Sequence, residues 1–274
     1  MKNKMLLSKL LIGVLFLSAC NSENTNTKNI EVTKKEAVTE NERVVDLGWK
    51  HENPASPDAG NWKPVEFPDG TKYTLPPAPK NDSETTKKEL EELLELAKSR
   101  SEDDIRIIRR WERDINGPNT NWNKVTEEMV KKYKLSPPES ARVYQILSGT
   151  VYTASVAAFN EKFANLRPRP THLEPNLKLI EDFTVPNHPA YPSAHATTGW
   201  AASTVLSYLF PEEEEVFIAM SKESDLSRKL AGVHYESDNV AGKKLGTEIA
   251  NDIIKGLKDD NAPSQFTSAN EHGH

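Results

Sequence analysis

The sequence has a single cysteine, Cys20, which excludes an internal disulfide and any metal site built from several cysteines. It also lacks a basic excess: 35 Lys and Arg against 41 Asp and Glu give a net charge of −6, whereas a nucleic-acid-binding protein normally presents a basic face. Hydrophobic residues make up only 36% and the mean hydropathy is −0.66, and no apolar run is long enough to span a membrane. We therefore expect a polar chain whose middle builds one sizeable core and whose two ends lie outside it.

The N-terminus has the pattern of an export signal. Three lysines within residues 1–9 precede an apolar run over residues 10–17, and two small residues precede Cys20. The stretch 17–20 resembles a bacterial lipobox, in which the cysteine is lipidated and becomes the mature N-terminus. We expect a lipoprotein signal peptide over residues 1–20 and a protein that is exported and lipid-anchored at the bacterial cell envelope. An ordinary signal peptide is the alternative.

Composition divides the rest of the chain into four parts. Residues 21–45 are polar, which predicts a flexible tether. Residues 46–82 are rich in Pro, Gly and Trp and predict an irregular segment, because each proline removes a hydrogen-bond donor and restricts the residue before it. Residues 83–258 are predicted to form a helical domain, and residues 259–274 a disordered tail.

Helical signals dominate residues 83–258. Ser83 can cap an amphipathic helix, and residues 139–163, rich in Ala and Val, predict a buried helix that delivers Lys162 from its C-terminal end. Residues 166–192 are proline-rich and predict a loop. Further helices are expected from about Ser101, over 125–133, over 193–210, over 211–220 and, as one or two helices, over 225–255. No strand alternation or repeat is visible, so the predicted fold class is all-α, a helical bundle.

Three short blocks between Lys162 and Asp238 carry the chemistry. They are Lys162 with Arg169 in KFANLRPRP, Ser193, Ala194 and His195 in HPAYPSAHATTGW, and Ser227, Arg228, His234 and Asp238 in SRKLAGVHYESD. Together they supply cations, two imidazoles, hydroxyls and a carboxylate. This set suits a tetrahedral oxyanion, because the cations neutralise its oxygens while two histidines act on opposite sides of it.

The second block opens an apolar helical run. A helix start leaves backbone N–H groups unpaired and has a positive dipole end, so it is a natural anion site. The Ser193 hydroxyl and the Ala194 N–H can then both donate to an oxyanion, and a simple helix cap is the alternative role for Ser193. His188, shortly before this block, is a candidate for the entrance of the site.

The third block places His234 and Asp238 four residues apart. On a helix this spacing puts the two side chains on one face, where they can hydrogen-bond. A carboxylate that holds one imidazole nitrogen fixes the tautomer and frees the other nitrogen to attack. Arg228 is expected before that helix or at its start. The simpler alternatives are a surface pair for His234 and Asp238 and solvated charges for Lys162 and Arg169.

The order and spacing of the three blocks resemble the type 2 phosphatidic acid phosphatase and vanadium haloperoxidase superfamily. Its signature is Lys-x6-Arg-Pro, then Pro-Ser-Gly-His, then Ser-Arg-x5-His-x3-Asp. The spacing inside each block matches here, and the one departure is Ala194 in place of glycine, which keeps its N–H available if its φ is negative. The resemblance covers roughly residues 140–255. Three blocks in order make it specific, and it implies the same all-α fold.

The resemblance implies a phosphatase that acts on a small phosphorylated substrate, a phosphate monoester or pyrophosphate, without a metal or other cofactor. It implies that His234 attacks phosphorus to form a phosphohistidine, that His195 acts as acid and then base, and that Asp238 orients His234. The implied phosphate-binding residues are Lys162, Arg169, Ser193, Ala194 and Arg228. Family haloperoxidases hold vanadate on the equivalent of His234 and need the same cradle, so a vanadium haloperoxidase remains the alternative. A non-catalytic envelope lipoprotein is a third.

Overall fold

The computed structural model describes residues 54–112 and 119–269, which form eight α-helices and no strand, so the predicted all-α fold is confirmed. The helices are α1 (Glu84–Ser99), α2 (Glu102–Glu112), α3 (Asn119–Lys132), α4 (Pro137–Asn165), α5 (Pro170–Leu173), α6 (Ala194–Leu209), α7 (Glu214–Leu230) and α8 (Glu236–Leu257). Within these described ranges, no helix combines the length and apolarity needed to cross a bilayer. The predicted signal peptide, the lipidated Cys20 and the tether lie outside the described residues, as does the end of the predicted tail.

Capping residues set the starts of two helices that position the site. Ser83 caps α1 as predicted, because its Oγ accepts a hydrogen bond from the Thr86 N–H at 3.2 Å. A reciprocal capping box between Ser136 and Glu139 starts α4. This helix then runs for 29 residues, and Lys162 lies fully buried in its last turn. The prediction that a buried helix delivers Lys162 is confirmed.

The third helix begins earlier than predicted. The sequence GPNTNW (117–122) predicts a break before a helix over 125–133, but α3 already starts at Asn119. Trp122 in its first turn is fully buried, and its ring centroid lies 6.3 Å from that of Trp111 in α2. Burial of this large side chain favours the helix over the local turn signals.

α7 is longer than predicted, continuing past residue 220 to Leu230. Its serines are compatible with burial, since Ser221 donates to the carbonyl oxygen of Gly199 in α6 at 3.1 Å. The predicted helical stretch 225–255 is therefore divided between α7 and α8. Arg228 lies in the last turn of the first of these helices.

α6 lies at the centre of the bundle, in contact with α4, α7 and α8. Two glycines of α8, Gly242 and Gly246, face the first turns of α6. A Cβ added at Gly242 would lie 2.7 Å from the carbonyl oxygen of Ser193, which only glycine avoids. This close approach fixes the start of α6 against the helix that carries Asp238.

Gly246→Ala is expected to lower the free energy of unfolding by about 1–3 kcal/mol, since overpacking of a tight contact has this cost. The new methyl group would overlap the carbonyl oxygen of Thr197 in α6. Urea denaturation measures the change. Gly256→Ala in the same helix is the control: nothing lies within 4 Å of a Cβ added there, and alanine is the better helix former. Equal changes in both variants would contradict the close packing of α6 on α8.

The proline-rich segment before α1 packs along two helices of the bundle. From residue 54 it is irregular apart from two 3-10 turns, Ala59–Asn61 and Gly70–Lys72. The ring of Phe67 lies against Gly149 of α4. Tyr73 is buried, and its hydroxyl donates to Asp252 of α8 at 3.0 Å.

Residues 259–269 pack against the bundle, which corrects the predicted disordered tail for this part of the chain. Phe266 is fully buried, with its ring centroid 5.5 Å from that of Phe210. Asp260 forms a buried ion pair with Arg142 of α4, at 2.5 Å. Phe210 and Arg142 are distant in sequence from this segment, so the polar composition of the segment did not reveal these contacts.

Candidate active site

The three motifs meet at a cavity of about 290 Å³. Its polar lining contains five of the eight predicted site residues: Arg169, Ala194, His195, Arg228 and His234. A more apolar side of the cavity contains Phe159, Pro186 and Val233. The structure therefore brings a cationic anion-binding surface and two histidines together beside an apolar wall.

His234 is held by Asp238, as predicted, but not on a shared helix face. His234 lies just before α8, after a turn in which Gly232 has a φ of +74°. Its Nδ1 lies 2.9 Å from Oδ2 of Asp238, which also accepts from the Tyr235 N–H at 3.1 Å. A carboxylate is acceptor-only, so the bond places the imidazole proton on Nδ1 and leaves the lone pair of Nε2 free to bind or attack.

Arg169 faces that lone pair. Its Nη1 lies 2.9 Å from Nε2 of His234 and also donates to the carbonyl oxygen of Val233 at 2.7 Å. The other side of the guanidinium contacts His188, through Nε to the carbonyl oxygen at 3.0 Å and Nη2 to Nδ1 at 3.1 Å. Burial lowers the pKa of Arg169 to about 10, so the group stays charged at neutral pH. It is placed to bind an anion directly beside Nε2.

His195 is held by a backbone carbonyl rather than by a carboxylate. It lies in the first turn of α6, and its Nε2 is 3.2 Å from the carbonyl oxygen of Trp111 at the end of α2. A carbonyl only accepts, so the proton lies on Nε2 and Nδ1 is the nitrogen left for proton exchange. Trp111 is a site residue that the sequence did not reveal, because its contribution is a main-chain oxygen.

Arg228 and Ala194 supply the remaining donors at the cavity. Arg228 is buried, with Nε 2.9 Å from the hydroxyl oxygen of Ser227, and burial lowers its pKa to about 10. Ala194 is the first residue of α6 and has the negative φ of a helical residue. The condition set for replacing glycine by alanine is therefore met, and the helix start presents its N–H groups toward an anion.

Ser193 acts as a helix cap in the structure. It is fully buried, and its Oγ accepts from the Ala196 N–H at 3.3 Å. Its own N–H donates to the carbonyl oxygen of Asp238 at 3.0 Å, which ties the second motif to the third. Ser193 does not line the cavity, so the structure supports the capping alternative and shows no hydroxyl directed at an anion.

Lys162 also lies behind the cavity rather than in it. Its Nζ donates to the carbonyl oxygens of Pro189, Ala190 and Pro192, at 2.8, 3.0 and 2.6 Å. These three bonds use all the donors of an ammonium group. No donor of Lys162 is therefore left for the predicted direct contact with phosphate. Lys162 instead holds the loop that leads into α6 and adds positive charge nearby.

Burial and the surrounding cations lower the pKa of both histidines. Burial is the main cause for His234, followed by Arg169 and Lys162, and its pKa lies well below the usual value for histidine. The pKa of His195 is likewise well below that value because of burial and the charge of Arg228. Both imidazoles are therefore neutral at pH 7 when no anion is bound.

His188 lies on the cavity wall, where its sequence position made it a candidate. It is half-buried, its ring centroid lies 5.0 Å from that of Phe159, and burial lowers its pKa to about 4. The bond from Arg169 to Nδ1 places the proton of this neutral imidazole on Nε2. No motif position marks Phe159, so the structure alone places this ring on the cavity wall beside His188.

The part of the chain that carries the site matches one protein superfamily. The model of the PAP2 superfamily matches residues 143–258, which confirms the resemblance to this superfamily. The matched span includes all eight predicted site residues. Helices α1, α2 and α3, including the carbonyl that holds His195, lie before it.

Two curated phosphatases are similar to this chain in sequence. A non-specific acid phosphatase of Providencia stuartii is 24% identical over 109 residues, which are 39% of this chain and 44% of that protein. A lipid A 1-phosphatase of Rhizobium etli is 31% identical over 104 residues, which are 35% of this chain and 44% of that protein. The chain thus matches less than half the length of these relatives.

Two solved structures share the fold. A bacterial vanadium-dependent iodoperoxidase aligns with a TM-score of 0.58 and 22% identity, over 75% of this chain and 62% of that one. A bacterial vanadium-dependent chloroperoxidase aligns with a TM-score of 0.54 and 14% identity, over 71% of this chain and 54% of that one. At these identities the likeness defines the fold and leaves the reaction to the site itself.

Proposed function

We propose that the protein hydrolyses a phosphate monoester or a pyrophosphate through a phosphohistidine intermediate on His234. One observation carries this proposal: Asp238 fixes the proton on Nδ1, so Nε2 presents its lone pair inside a cationic cavity. A phosphoryl group bound by Arg169 and Arg228 lies within reach of that nitrogen. The two curated phosphatases among the relatives support the same class of reaction.

The first step transfers the phosphoryl group to His234. Arg169 donates to Nε2 in the structure, so the substrate must take over this hydrogen bond. Phosphoryl oxygens are charged acceptors and bind a guanidinium more strongly than a neutral imidazole does. Once Nε2 is uncovered, it attacks phosphorus: the N–P bond forms while the bond to the leaving oxygen breaks. His195 enters this step as an imidazolium, with its second proton on Nδ1. It donates that proton to the leaving oxygen and becomes neutral, so the product leaves as a neutral alcohol or as protonated phosphate.

The second step returns the enzyme to its starting state. Neutral His195 takes a proton from water, whose oxygen bonds to phosphorus while the bond between phosphorus and Nε2 breaks. Inorganic phosphate leaves, and His195 is again protonated for the next cycle. Arg169, Arg228 and the Ala194 N–H stabilise the charge on the phosphoryl oxygens in both steps. We propose that this hydrolysis needs no metal or cofactor, since the cationic side chains take that role.

The donor set also fits vanadate, an oxyanion that has the shape of the transition state of phosphoryl transfer when it is bound. Arg169, Arg228 and the Ala194 N–H would hold its oxygens, and Nε2 of His234 would bind it. Bound vanadate would supply peroxide activation for halide oxidation, so a haloperoxidase is the alternative activity. Both curated relatives in sequence are phosphatases, which favours the phosphatase over the haloperoxidase.

We further propose that Cys20 anchors the protein by a lipid at the cell envelope. The support is the charged, then apolar, then small-residue pattern that ends at this cysteine. Radiolabelled palmitate should enter the wild-type protein in cells and should not enter a Cys20→Ser variant. Equal labelling of the two would contradict the anchor.

The rate of hydrolysis is expected to be highest on the acid side of neutral pH. The mechanism needs His234 neutral and His195 protonated in the substrate complex. The pKa of His234 is depressed, so it stays neutral well below about pH 6.5. The pKa of His195 also lies well below the usual value for histidine, so it loses its proton on the acid side of about pH 6.5. A profile of kcat against pH tests this, and a rate that climbs continuously to alkaline pH would contradict it.

A paired assay on the full-length protein tests the proposed reaction. One arm follows hydrolysis of p-nitrophenyl phosphate in EDTA, with and without orthovanadate. The other follows bromination by peroxide after loading with vanadate. We expect hydrolysis that resists EDTA and is inhibited by vanadate. Vanadate-dependent bromination with negligible hydrolysis would replace the proposed reaction by the alternative, and silence in both arms would favour the non-catalytic reading.

A further inference from the structure

Arg167 lies two residues before Arg169 but belongs to no family motif. It is buried, with 2% of its surface exposed, and does not line the cavity. Its Nη1 lies 2.7 Å from Oδ1 of Asp238. The other oxygen of the same carboxylate accepts from His234. Asp238 is therefore shared between the imidazole that is proposed to attack and a fully buried guanidinium.

Glu89 of α1 lies on the far side of Arg167. Its Oε2 is 3.2 Å from Nη2 of Arg167 and also accepts from the Ser237 hydroxyl at 2.9 Å. Its Oε1 accepts from the Ser237 N–H at 2.7 Å. The guanidinium stacks on the ring of Tyr235 at 3.8 Å. Arg167 is thus a single cation between two carboxylates, and one of them comes from a helix outside the region that matches the family.

We propose that Arg167 and Glu89 are positioning residues that set how strongly Asp238 attracts the proton on His234, and this rests on the proposed function of that histidine. A carboxylate that shares its charge with a guanidinium is a weaker partner for an imidazolium. Without Arg167, the full charge of Asp238 would act on His234 and favour its protonation. Without the charge of Glu89, Arg167 would act on Asp238 alone and have the opposite effect. The two residues therefore adjust the nucleophile in opposite directions.

Other charged and titratable groups face the pair from the elements around it. Those near His234 or Asp238 are Lys162 on α4, Arg169, His188 and Tyr191 in the loop 166–192, His195 on α6, Arg228 on α7, and Tyr235 beside Asp238. The cations among them oppose protonation of His234. Arg167 acts on the pKa of Tyr191 and Tyr235 as well, but burial raises the pKa of both tyrosines, so they stay neutral in every variant. The cations are kept in all the variants, so the difference between variants reports the charges of Arg167 and Glu89.

The experiment compares Arg167→Gln, Glu89→Gln and the double variant in the full-length protein. We expect the acid limb of kcat/KM, where His234 gains a proton, to move to higher pH by about one unit in Arg167→Gln, the size expected for one charge several ångströms away. In Glu89→Gln it should move to lower pH, and in the double variant it should return toward the wild-type position. An NMR titration of isotope-labelled histidine, assigned with His234→Ala, follows the same proton without any need for turnover. The titration thereby separates failure of this inference from failure of the proposed reaction.

Arg142→Gln is the matched control. It removes the guanidinium from another buried Arg–Asp pair, Arg142 with Asp260. Arg142 lies about 30 Å from Lys162 along α4. It should lower Tm and leave the acid limb and the NMR titration of His234 unchanged. The inference is overturned if Arg167→Gln behaves like this control, or if Arg167→Gln and Glu89→Gln move the titration in the same direction. If Arg167→Gln does not fold, two other variants test the inference. Glu89→Gln should still move the acid limb to lower pH. Arg167→Lys keeps the charge and should leave the acid limb at its wild-type position.

Discussion

His234→Ala is expected to lower kcat for hydrolysis of p-nitrophenyl phosphate by at least about 10⁴-fold, as loss of a catalytic nucleophile typically does. The variant loses the atom that forms the bond to phosphorus, and neither Arg169 nor Arg228 can replace it. Binding is expected to persist, because the cations and the helix start remain. A phosphate-monitored stopped assay measures kcat, and the shift of Tm by orthovanadate measures binding.

The control for this prediction is His172→Ala. His172 is an exposed histidine of α5 that does not line the cavity, so its replacement should change kcat by less than about two-fold, in the range usual for surface substitutions. A His234→Ala variant that folds, binds vanadate and still turns over within ten-fold of wild type would rule out nucleophilic attack by this residue.

His195→Ala is expected to have an effect that depends on the leaving group. A general acid contributes about 10²–10⁴-fold, and its contribution is largest when the leaving oxygen is a poor one. We therefore expect kcat to fall strongly for an alkyl phosphate and much less for p-nitrophenyl phosphate, whose leaving group needs no proton. Activity on a series of aryl and alkyl phosphates gives the slope of log kcat against leaving-group pKa.

That slope should be steeper in His195→Ala than in wild type. A uniform loss across the series would instead indicate that His195 binds the phosphoryl group and does not transfer the proton. Because Nε2 of His195 is bound to the Trp111 carbonyl, the proton is expected to pass through Nδ1. His195→Gln, which keeps polar donors but cannot transfer a proton, should reproduce the steeper slope.

The sequence predicted which motif side chains come together, and their roles in a reaction stay a prediction. His234, His195, Arg169 and Arg228 reach the same cavity, and the contact between His234 and Asp238 is present. The reason given for that contact was wrong, because His234 precedes α8. The spacing of four residues brings the pair together across the start of a helix as well as along one.

Residues that act through the backbone or from distant helices could not be predicted. The carbonyl of Trp111 and the carboxylate of Glu89 come from helices before the family motifs, and no local pattern points to them. Lys162 was assigned to the phosphate because of its motif position, yet its three donors hold backbone carbonyls of the loop before α6. Only the tertiary packing determines whether a buried ammonium group donates to backbone carbonyls or to a bound phosphate.

The central claim, a covalent phosphoryl group on His234, is tested most directly by trapping it. Full-length protein is mixed with a ³²P-labelled aryl phosphate, quenched in alkali within the first turnover and analysed by tandem mass spectrometry. The account predicts label on His234 in wild type, none on His234→Ala, and more in His195→Ala, where the water that completes the reaction lacks its base. Steady hydrolysis with no label on any residue, or with label on a residue other than His234, would contradict it.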